Sequence, residues 1–195
     1  MAKVYFRYGA MGSSKTANAM MVAFNYRERD QNALLLKPAL ENRDGDTIIR
    51  SRIGLSGECE KVEDFLNRFD PDKDPKVIDC LIVDEAQFLT KEQVHRFCEM
   101  ADIYNIPVIC YGLRTDFKGN LFEGSTWLLA WADAIEEVKT ICSCGKKATM
   151  NARFDENGKI FVDGPQIEMG ANDKYFSLCR KCFNKRIAER MQELA

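Results

Sequence analysis

The residues with the clearest chemistry form a glycine- and serine-rich loop near the start of the 195-residue chain. Gly9 is followed, after four residues, by Ser14-Lys15-Thr16, which nearly fits the G-x-x-x-x-G-K-[ST] pattern of phosphate-binding loops. In that pattern the lysine neutralises the β- and γ-phosphates, and the last hydroxyl holds Mg²⁺. Ser14 replaces the expected glycine, which costs free energy if this position needs a positive φ. The predicted nucleotide-binding residues are Gly9, Ala10, Met11, Gly12, Ser13, Ser14, Lys15 and Thr16.

The surroundings of this loop favour a phosphate site over the alternative, an ordinary turn with an exposed lysine. Residues 3–8 (KVYFRY) are typical of a strand, and residues 17–24 are typical of a helix. A strand that enters such a loop and a helix that leaves it direct the first N–H groups of the helix at phosphate oxygens.

Two adjacent carboxylates, Asp84 and Glu85, end the apolar stretch Leu81-Ile82-Val83. Asp84 fits the role of a Mg²⁺ partner, either directly or through water. On a strand, Glu85 would point to the opposite side. There it would either polarise a water molecule, as in an ATPase, or take a proton from a substrate hydroxyl, as in a kinase. Strand ends are often acidic only because they are exposed, but the phosphate loop about 70 residues upstream favours a functional interpretation.

The chain has eight cysteines and a single histidine, so any metal site must be built mainly from thiolates. Two close pairs, Cys142-x-Cys144 and Cys179-x-x-Cys182, predict a structural Zn²⁺ site closed by four sulfur ligands. Four free thiols are the alternative. No position stays open for water, so we expect no catalysis from this metal. Of the other cysteines, we expect Cys80, Cys98 and Cys110 in the core and assign no role to Cys59. His95 is expected to be a surface or packing residue.

The composition narrows the class of protein. Hydrophobic residues make up 46% of the chain, which excludes disorder and collagen-like repeats. The 28 basic residues are outnumbered by 30 acidic ones, whereas a protein that binds nucleic-acid phosphates is usually basic. The chain shows no signal peptide and no apolar run long enough to cross a bilayer. We therefore expect a cytoplasmic protein with neither nucleic acid nor membrane as a partner.

Short apolar segments alternate with helical ones in the first two thirds of the chain. Strands are predicted at residues 3–8, 33–37, 77–83 and 107–113, with helices after the phosphate loop, near 62–69 and from Thr90 to about 104. The remainder of 41–76 is predicted to be loops. This order predicts an α/β fold with a doubly wound, mostly parallel sheet of the P-loop (RecA-like) type.

The charge balance of the chain changes after Val138. Residues 1–138 carry 17 basic and 23 acidic groups, a net charge of −6, whereas residues 139–195 carry 11 and 7, a net charge of +4. We predict a nucleotide-binding domain over residues 1–139 and a small zinc-stapled subdomain with a terminal helix over residues 140–195. The loop after the fourth predicted strand holds Phe117 and Phe122, which either stack on a flat base or close the core.

Taken together, these motifs resemble the P-loop thymidine kinases of the zinc-containing, cytosolic type (type II). The resemblance runs in order through YFRYGAMGSSKT, SRIGLS, VDEAQFL, IPVICYGLRTDFKG, LFEGS, KTICSCG and YFSLCRKC, and so covers nearly the whole chain. It implies transfer of the γ-phosphate of ATP to the 5′-hydroxyl of thymidine, in nucleoside salvage for DNA synthesis, with Mg²⁺ and a structural Zn²⁺. It also implies a homotetramer and feedback inhibition by dTTP.

The resemblance implies roles for individual residues as well. Glu85 would be the general base, and Gln87 and Asp84 would join the phosphate loop in binding ATP. Arg43 corresponds to a basic residue near the phosphates, and Glu41 stands where aspartate is more usual. The walls of the thymine pocket would be Met11, Phe88, Leu113, Phe117 and Phe122. The residues of a mobile lasso loop whose backbone reads the pyrimidine edge would be Gln166, Ile167, Glu168, Met169 and Gly170, and Tyr175 would close over the sugar and base.

Three alternatives stay open at this point. The first is a kinase with a broader deoxynucleoside preference. The second is a P-loop ATPase, or helicase-like motor, that acts on nucleic acid. The third is a zinc-ribbon module that binds nucleic acid through the positively charged C-terminal segment.

Overall fold

The computed structural model describes residues 1–43, 45–167 and 174–195. Its helices are α1 (Lys15–Arg27), α2 (Val62–Arg68), α3 (Lys91–Asp102), α4 (Glu123–Trp131) and α5 (Arg180–Leu194). Its strands are β1 (Val4–Tyr8), β2 (Ala33–Lys37), β3 (Ile48–Arg50), β4 (Ser56–Glu58), β5 (Glu60–Lys61), β6 (Cys80–Val83), β7 (Val108–Gly112), β8 (Ala134–Glu137), β9 (Thr140–Ile141), β10 (Lys147–Ala148), β11 (Met150–Phe154) and β12 (Lys174–Leu178). Among the helices in these ranges, none is both long and apolar enough to cross a membrane.

The main sheet has six strands in the order β5-β2-β6-β7-β1-β8, and every neighbouring pair is parallel. All four residues of β6 are buried, as a parallel strand covered on both faces requires. Helices cover the two faces of the sheet, so the predicted α/β fold with a doubly wound parallel sheet is confirmed.

The pleat of β6 divides its side chains between two apolar layers. Cys80 and Ile82 pack in the layer that contains buried residues of α1. Leu81 and Val83 pack in the larger layer that contains residues of α2, α3 and α4. Helix α3 begins at the predicted capping box, in which Thr90 and Gln93 satisfy each other's backbone N–H groups.

The region between residues 41 and 76 contains more strand than the sequence suggested. Besides α2, it holds the antiparallel pair β3–β4, whose turn includes Gly54 at φ 88°. These strands are three residues long, and Ile49 is the buried apolar anchor of β3, which is too short a pattern to read from sequence. Conversely, the strand predicted from residue 77 begins at Cys80, because the N–H groups of Val77 and Ile78 both bond to the carbonyl oxygen of Asp74, where the 3₁₀ turn Asp74–Lys76 begins.

The segment after β8 forms smaller units. Two antiparallel pairs, β9–β10 and β11–β12, pack with α5 around a separate apolar cluster that includes Ile160, Leu178 and Phe183. The main sheet thus ends just before the boundary predicted near residue 140. The division into two domains stays a prediction.

Strand β7 lies between β1 and β6, so the loops that follow these three strands meet at one edge of the sheet. Helix α4 packs closely against a 3₁₀ turn (Ala86–Phe88) beside that edge. A Cβ atom on Gly124 would lie 2.4 Å from the carbonyl oxygen of Ala86 and 2.9 Å from that of Gln87. Only glycine allows this approach.

Replacing Gly124 with alanine is expected to force α4 away from the turn and to lower the free energy of unfolding by about 1–3 kcal/mol. Denaturant unfolding measures the change. Gly57→Ala is the matched control, because its added Cβ would meet only Leu35 Cδ1, at 3.5 Å. Equal stability of the two variants would show that the close approach does not hold α4 in place.

Candidate active site

The phosphate loop connects β1 to α1 in the arrangement that its sequence predicted. A Cβ on Gly9 would lie 2.5 Å from the carbonyl oxygen of Val138, so glycine is required where the loop begins. The ammonium of Lys15 lies under the loop, 3.2 Å from the carbonyl oxygen of Gly9 and 3.0 Å from that of Ala10. Burial lowers the pKa of Lys15, and the nearby Glu85 and Asp84 carboxylates oppose that shift.

Ser14, the residue that departs from the phosphate-loop pattern, has φ 60° and ψ 28°. This is the left-handed conformation that glycine adopts most readily. Its side chain is exposed and makes no capping hydrogen bond to α1, so the described structure shows no compensating contact for serine here.

The directions of the two carboxylate side chains after β6 are set by a turn that the sequence did not indicate. The strand ends at Val83, and Glu85 has φ 50° and ψ 37°, so the left-handed turn rather than strand alternation directs its side chain. Asp84 is 3% exposed and accepts a hydrogen bond from Thr16. Burial, together with the adjacent Glu85 carboxylate, raises the pKa of Asp84 to about 7.

Glu85 is held between two side chains. Arg43 Nη2 lies 3.0 Å from Glu85 Oε1, and Gln87 Nε2 donates to Glu85 Oε2 at 2.5 Å. The same Arg43 pairs with Glu41, which raises the pKa of the guanidinium further. Gln87 Oε1 accepts from the Leu113 N–H at 3.0 Å. Gln87 thus orients Glu85 in this structure, and its predicted contact with ATP stays a prediction.

A cavity of about 700 Å³ joins the phosphate loop to the predicted nucleoside pocket. Lys15, Thr16 and Glu85 lie in its wall. Of the predicted pocket residues, its wall contains Met11, Phe88, Leu113, Phe117, Phe122, Gln166, Ile167 and Tyr175. Glu168, Met169 and Gly170 lie outside the described residues.

The two phenylalanines of the loop between β7 and α4 (the substrate-side loop) are buried and also line the cavity, so stacking on a flat base stays a prediction. Phe117 is 2% exposed and Phe122 is 5% exposed, so they close the core while facing the cavity. Phe122 meets Phe88 edge to face, with ring centroids 5.8 Å apart. The guanidinium of Arg153 lies 5.5 Å from the centroid of Phe117 and 4.5 Å from that of Phe161.

Several residues of the cavity wall carried no prediction, among them Asp116 and Asn151. Asp116 accepts hydrogen bonds from Gln166 Nε2 and from the backbone N–H groups of Lys118 and Asn120. It therefore ties the substrate-side loop to the segment that carries Gln166. Asp116 lies within the stretch IPVICYGLRTDFKG, which could have pointed to it, whereas Asn151 lies outside every motif of the resemblance.

The four predicted metal ligands do come together. The sulfur atoms of Cys142, Cys144, Cys179 and Cys182 lie within 4.8 Å of one another. The sulfurs of Cys144 and Cys179 are 3.6 Å apart, close to the ~3.8 Å that tetrahedral Zn–S bonds of about 2.3 Å impose.

The charges of these thiols also favour a cation. Backbone N–H groups of Cys144 and Cys179 lower the pKa of Cys142 to about 6, whereas the neighbouring sulfurs raise that of Cys182 to about 12. Four thiolates repel one another unless a metal ion neutralises them. The donor set thus fits zinc.

Three of the remaining cysteines and the histidine are packing residues, as predicted, whereas Cys59 carried no prediction. Cys80, Cys98 and Cys110 are buried, and burial raises the pKa of each thiol. The ring of His95 packs against Trp127 and Trp131, with centroid distances of 5.5 and 4.4 Å. Cys59 is half-buried beside the layer that contains α1.

Comparisons with known proteins show which family the chain belongs to. The family model described as "Thymidine kinase" matches residues 2–183. The thymidine kinase of Photobacterium profundum is 46% identical over 95% of this chain and 98% of its own length. Those of Pasteurella multocida (46% identity, 96% and 100%) and Xanthomonas axonopodis pv. citri (48% identity, 95% and 90%) are similar to the same extent. The solved Pif1 helicase of Candida albicans aligns with a TM-score of only 0.42 and 11% identity, over 72% of this chain and 36% of that one.

Asp84 is expected to destabilise the ligand-free fold at neutral and higher pH. Its folded pKa is raised above its unfolded value, so the folding cost appears as pH rises above about 4 and is complete above about 7. An uncharged amide mimics the protonated acid, and Asp84→Asn should therefore raise the free energy of unfolding by about 2 kcal/mol at pH 8. The gain should vanish near pH 4. Thermal unfolding in chelator at both pH values measures it, and a gain that does not depend on pH would contradict the assignment.

Replacing Cys144 with serine is expected to abolish zinc binding, because one of four sulfur ligands is lost. Metal analysis should find about one zinc per wild-type chain and a small fraction of that in the variant. The melting temperature should fall together with the zinc content. Cys59→Ser is the control, since Cys59 lies outside the cluster and should leave the zinc content unchanged. Wild-type protein purified without zinc would refute the site.

Proposed function

The chain belongs to the thymidine kinase family, and we propose that it transfers the γ-phosphate of ATP to the 5′-hydroxyl of thymidine. The family itself was predicted from the sequence motifs and is confirmed. The observation that best supports the reaction is the cavity in which the phosphate loop and Glu85 face an aromatic wall. In one continuous cavity it holds the residues proposed to bind the triphosphate, the proposed base and an apolar surface that suits a flat ring.

The phosphate side of the cavity supplies binding and charge neutralisation. Lys15 is placed to contact the β- and γ-phosphates once it leaves the loop carbonyls. Thr16 and Asp84 are hydrogen-bonded to each other, so their oxygens lie side by side as hard donors that suit Mg²⁺. When bound, Mg²⁺ offsets negative charge on the β- and γ-phosphate oxygens.

Glu85 is the proposed general base. As the 5′-oxygen of thymidine attacks the γ-phosphorus, its proton passes to a carboxylate oxygen of Glu85, and the bond from the γ-phosphorus to the bridging oxygen breaks. Gln87 fixes one carboxylate oxygen and Arg43 contacts the other. Arg43 thereby holds a positive charge at the border between the base and the phosphates.

The nucleoside side of the cavity provides shape and exclusion of water. The edge-to-face pair of Phe88 and Phe122 forms an apolar wall for the thymine ring. Gln166, proposed to belong to the loop that reads the pyrimidine edge, and Tyr175, proposed to close over the sugar and base, both line this side of the cavity. Excluding water there favours transfer to thymidine over hydrolysis of ATP.

Two further proposals rest on the resemblance to type II enzymes. We propose a homotetramer, for which the exposed Met21 and Phe24 on α1 offer an apolar contact surface. We also propose feedback inhibition by dTTP, since a nucleotide with the thymine base and a triphosphate matches both sides of the cavity.

Glu85→Gln is expected to lower kcat for thymidine phosphorylation by about 10²–10⁴-fold, because glutamine cannot accept the proton. The KM values for ATP and thymidine should change little. Steady-state assays with Mg²⁺-ATP and thymidine test this, with deoxycytidine and deoxyuridine as competing acceptors.

Glu60→Gln is the control, because Glu60 also pairs with an arginine, Arg68, but lies away from the cavity. Retained turnover in Glu85→Gln would place the base elsewhere. Wild-type ATP hydrolysis stimulated by DNA and independent of thymidine would refute the proposed reaction.

A further inference from the structure

Asn151 connects the two sides of the cavity from a third part of the chain. It lies on β11, beyond the main sheet, and is 3% exposed. Its Oδ1 accepts from the N–H of Met11 at 2.8 Å. Its Nδ2 donates to the carbonyl oxygen of Thr115 at 2.7 Å.

The chemistry of the partners fixes the orientation of this amide. The Met11 N–H can only donate and the Thr115 carbonyl can only accept, so a side chain that joins them needs an acceptor and a donor on one short arm. Aspartate supplies the acceptor alone when ionised, serine is too short to reach both groups, and an apolar residue supplies neither. Asparagine meets both requirements.

The two ends of the bridge belong to the two substrate-facing segments. Met11 lies within the phosphate loop, four residues before Lys15. Thr115 immediately precedes Asp116 and Phe117, which hold and form the nucleoside wall. Because the Met11 N–H donates to Asn151, this group of the loop is not available to a phosphate oxygen in this arrangement.

We propose that Asn151 is a positioning residue for phosphoryl transfer, which sets the spacing between the phosphate loop and the nucleoside wall. The inference rests on the proposed kinase reaction and adds a residue to it. Transfer requires the attacking oxygen and the phosphorus to be aligned, and a displacement of about 1 Å can cost about 10²-fold in rate. Each wall alone can still bind its substrate, so the loss should appear in kcat.

The test compares Asn151→Ala and Asn151→Asp with wild type. Both should lower kcat by about 10–100-fold, with the KM values for ATP and thymidine changed by less than about threefold. Asn151→Asp keeps the acceptor for Met11 but sets an oxygen against the Thr115 carbonyl, so it should not restore the rate. The ratio of ATP hydrolysed to thymidine phosphorylated should rise in both variants.

Thr140→Val is the matched control. Its hydroxyl also links the C-terminal segment to the phosphate loop, through a longer contact of 3.4 Å to the Gly12 carbonyl oxygen, and its loss should leave kcat within about twofold of wild type. Melting temperature and zinc content show which variants are folded. If Asn151→Ala does not fold, Asn151→Asp decides.

The results separate this inference from the proposed function. A wild type without thymidine phosphorylation refutes the reaction itself. An active wild type with folded Asn151 variants of unchanged kcat refutes the positioning role alone. A rise confined to the KM for thymidine would also refute the positioning role, because it would make Asn151 a substrate contact.

Discussion

The structure depends on keeping two carboxylates and an ammonium group close together in a poorly hydrated corner of the sheet. Asp84, Glu85 and Lys15 all lie where the loops after β1 and β6 meet. Burial raises the pKa of Asp84 and lowers that of Lys15, so each charge is costly by itself. Attraction between the Lys15 ammonium and the two carboxylates offsets part of that cost, whereas the two carboxylates repel each other. Under the proposed function, a bound polyphosphate and cation would neutralise the remaining charge, so an arrangement that is costly in the free protein would favour binding.

The region around Asp84, Glu85 and Lys15 also contains strained backbone. Ser14 and Glu85 both have left-handed backbone angles, which cost L-residues roughly 1–2 kcal/mol each. Such angles persist only where the surroundings determine them. At Glu85 the determinants are visible, because Gln87 holds the carboxylate and the close approach of α4 at Gly124 holds the following turn. The position of Glu85, the proposed base, therefore rests on packing between a helix and a turn, and not on the strand that precedes it.

The sequence predicted the four central strands of the sheet, the phosphate loop and the cysteine cluster, because each has a local pattern, whereas the edge strands β5 and β8 were not predicted. Continuous apolar runs such as β6 identify parallel strands, and close cysteine pairs identify a metal site. It did not predict the hairpin β3–β4, whose strands are too short for a periodic pattern, or the left-handed turn that directs Glu85. Nor did it single out Asn151, because its two partners are backbone groups 140 and 36 residues away. A hydrogen bond between a side chain and a backbone group far away in the chain leaves no trace in composition or spacing.

The strands that carry Asn151 and Tyr175 also give a structural reason for a metal site in this fold. Asn151 and Tyr175 lie on the paired strands β11 and β12, beside a cluster with few buried apolar residues. So small a core cannot hold two strands rigidly against the cavity. Cys179 follows β12 directly, and Cys142 and Cys144 lie in the turn between β9 and β10. A metal ion bound by these cysteines would tie the end of β12 to the turn between β9 and β10, and so would restrict the movement of β11 and β12. A zinc ion held by these four cysteines would fix the strands from which the cavity is completed.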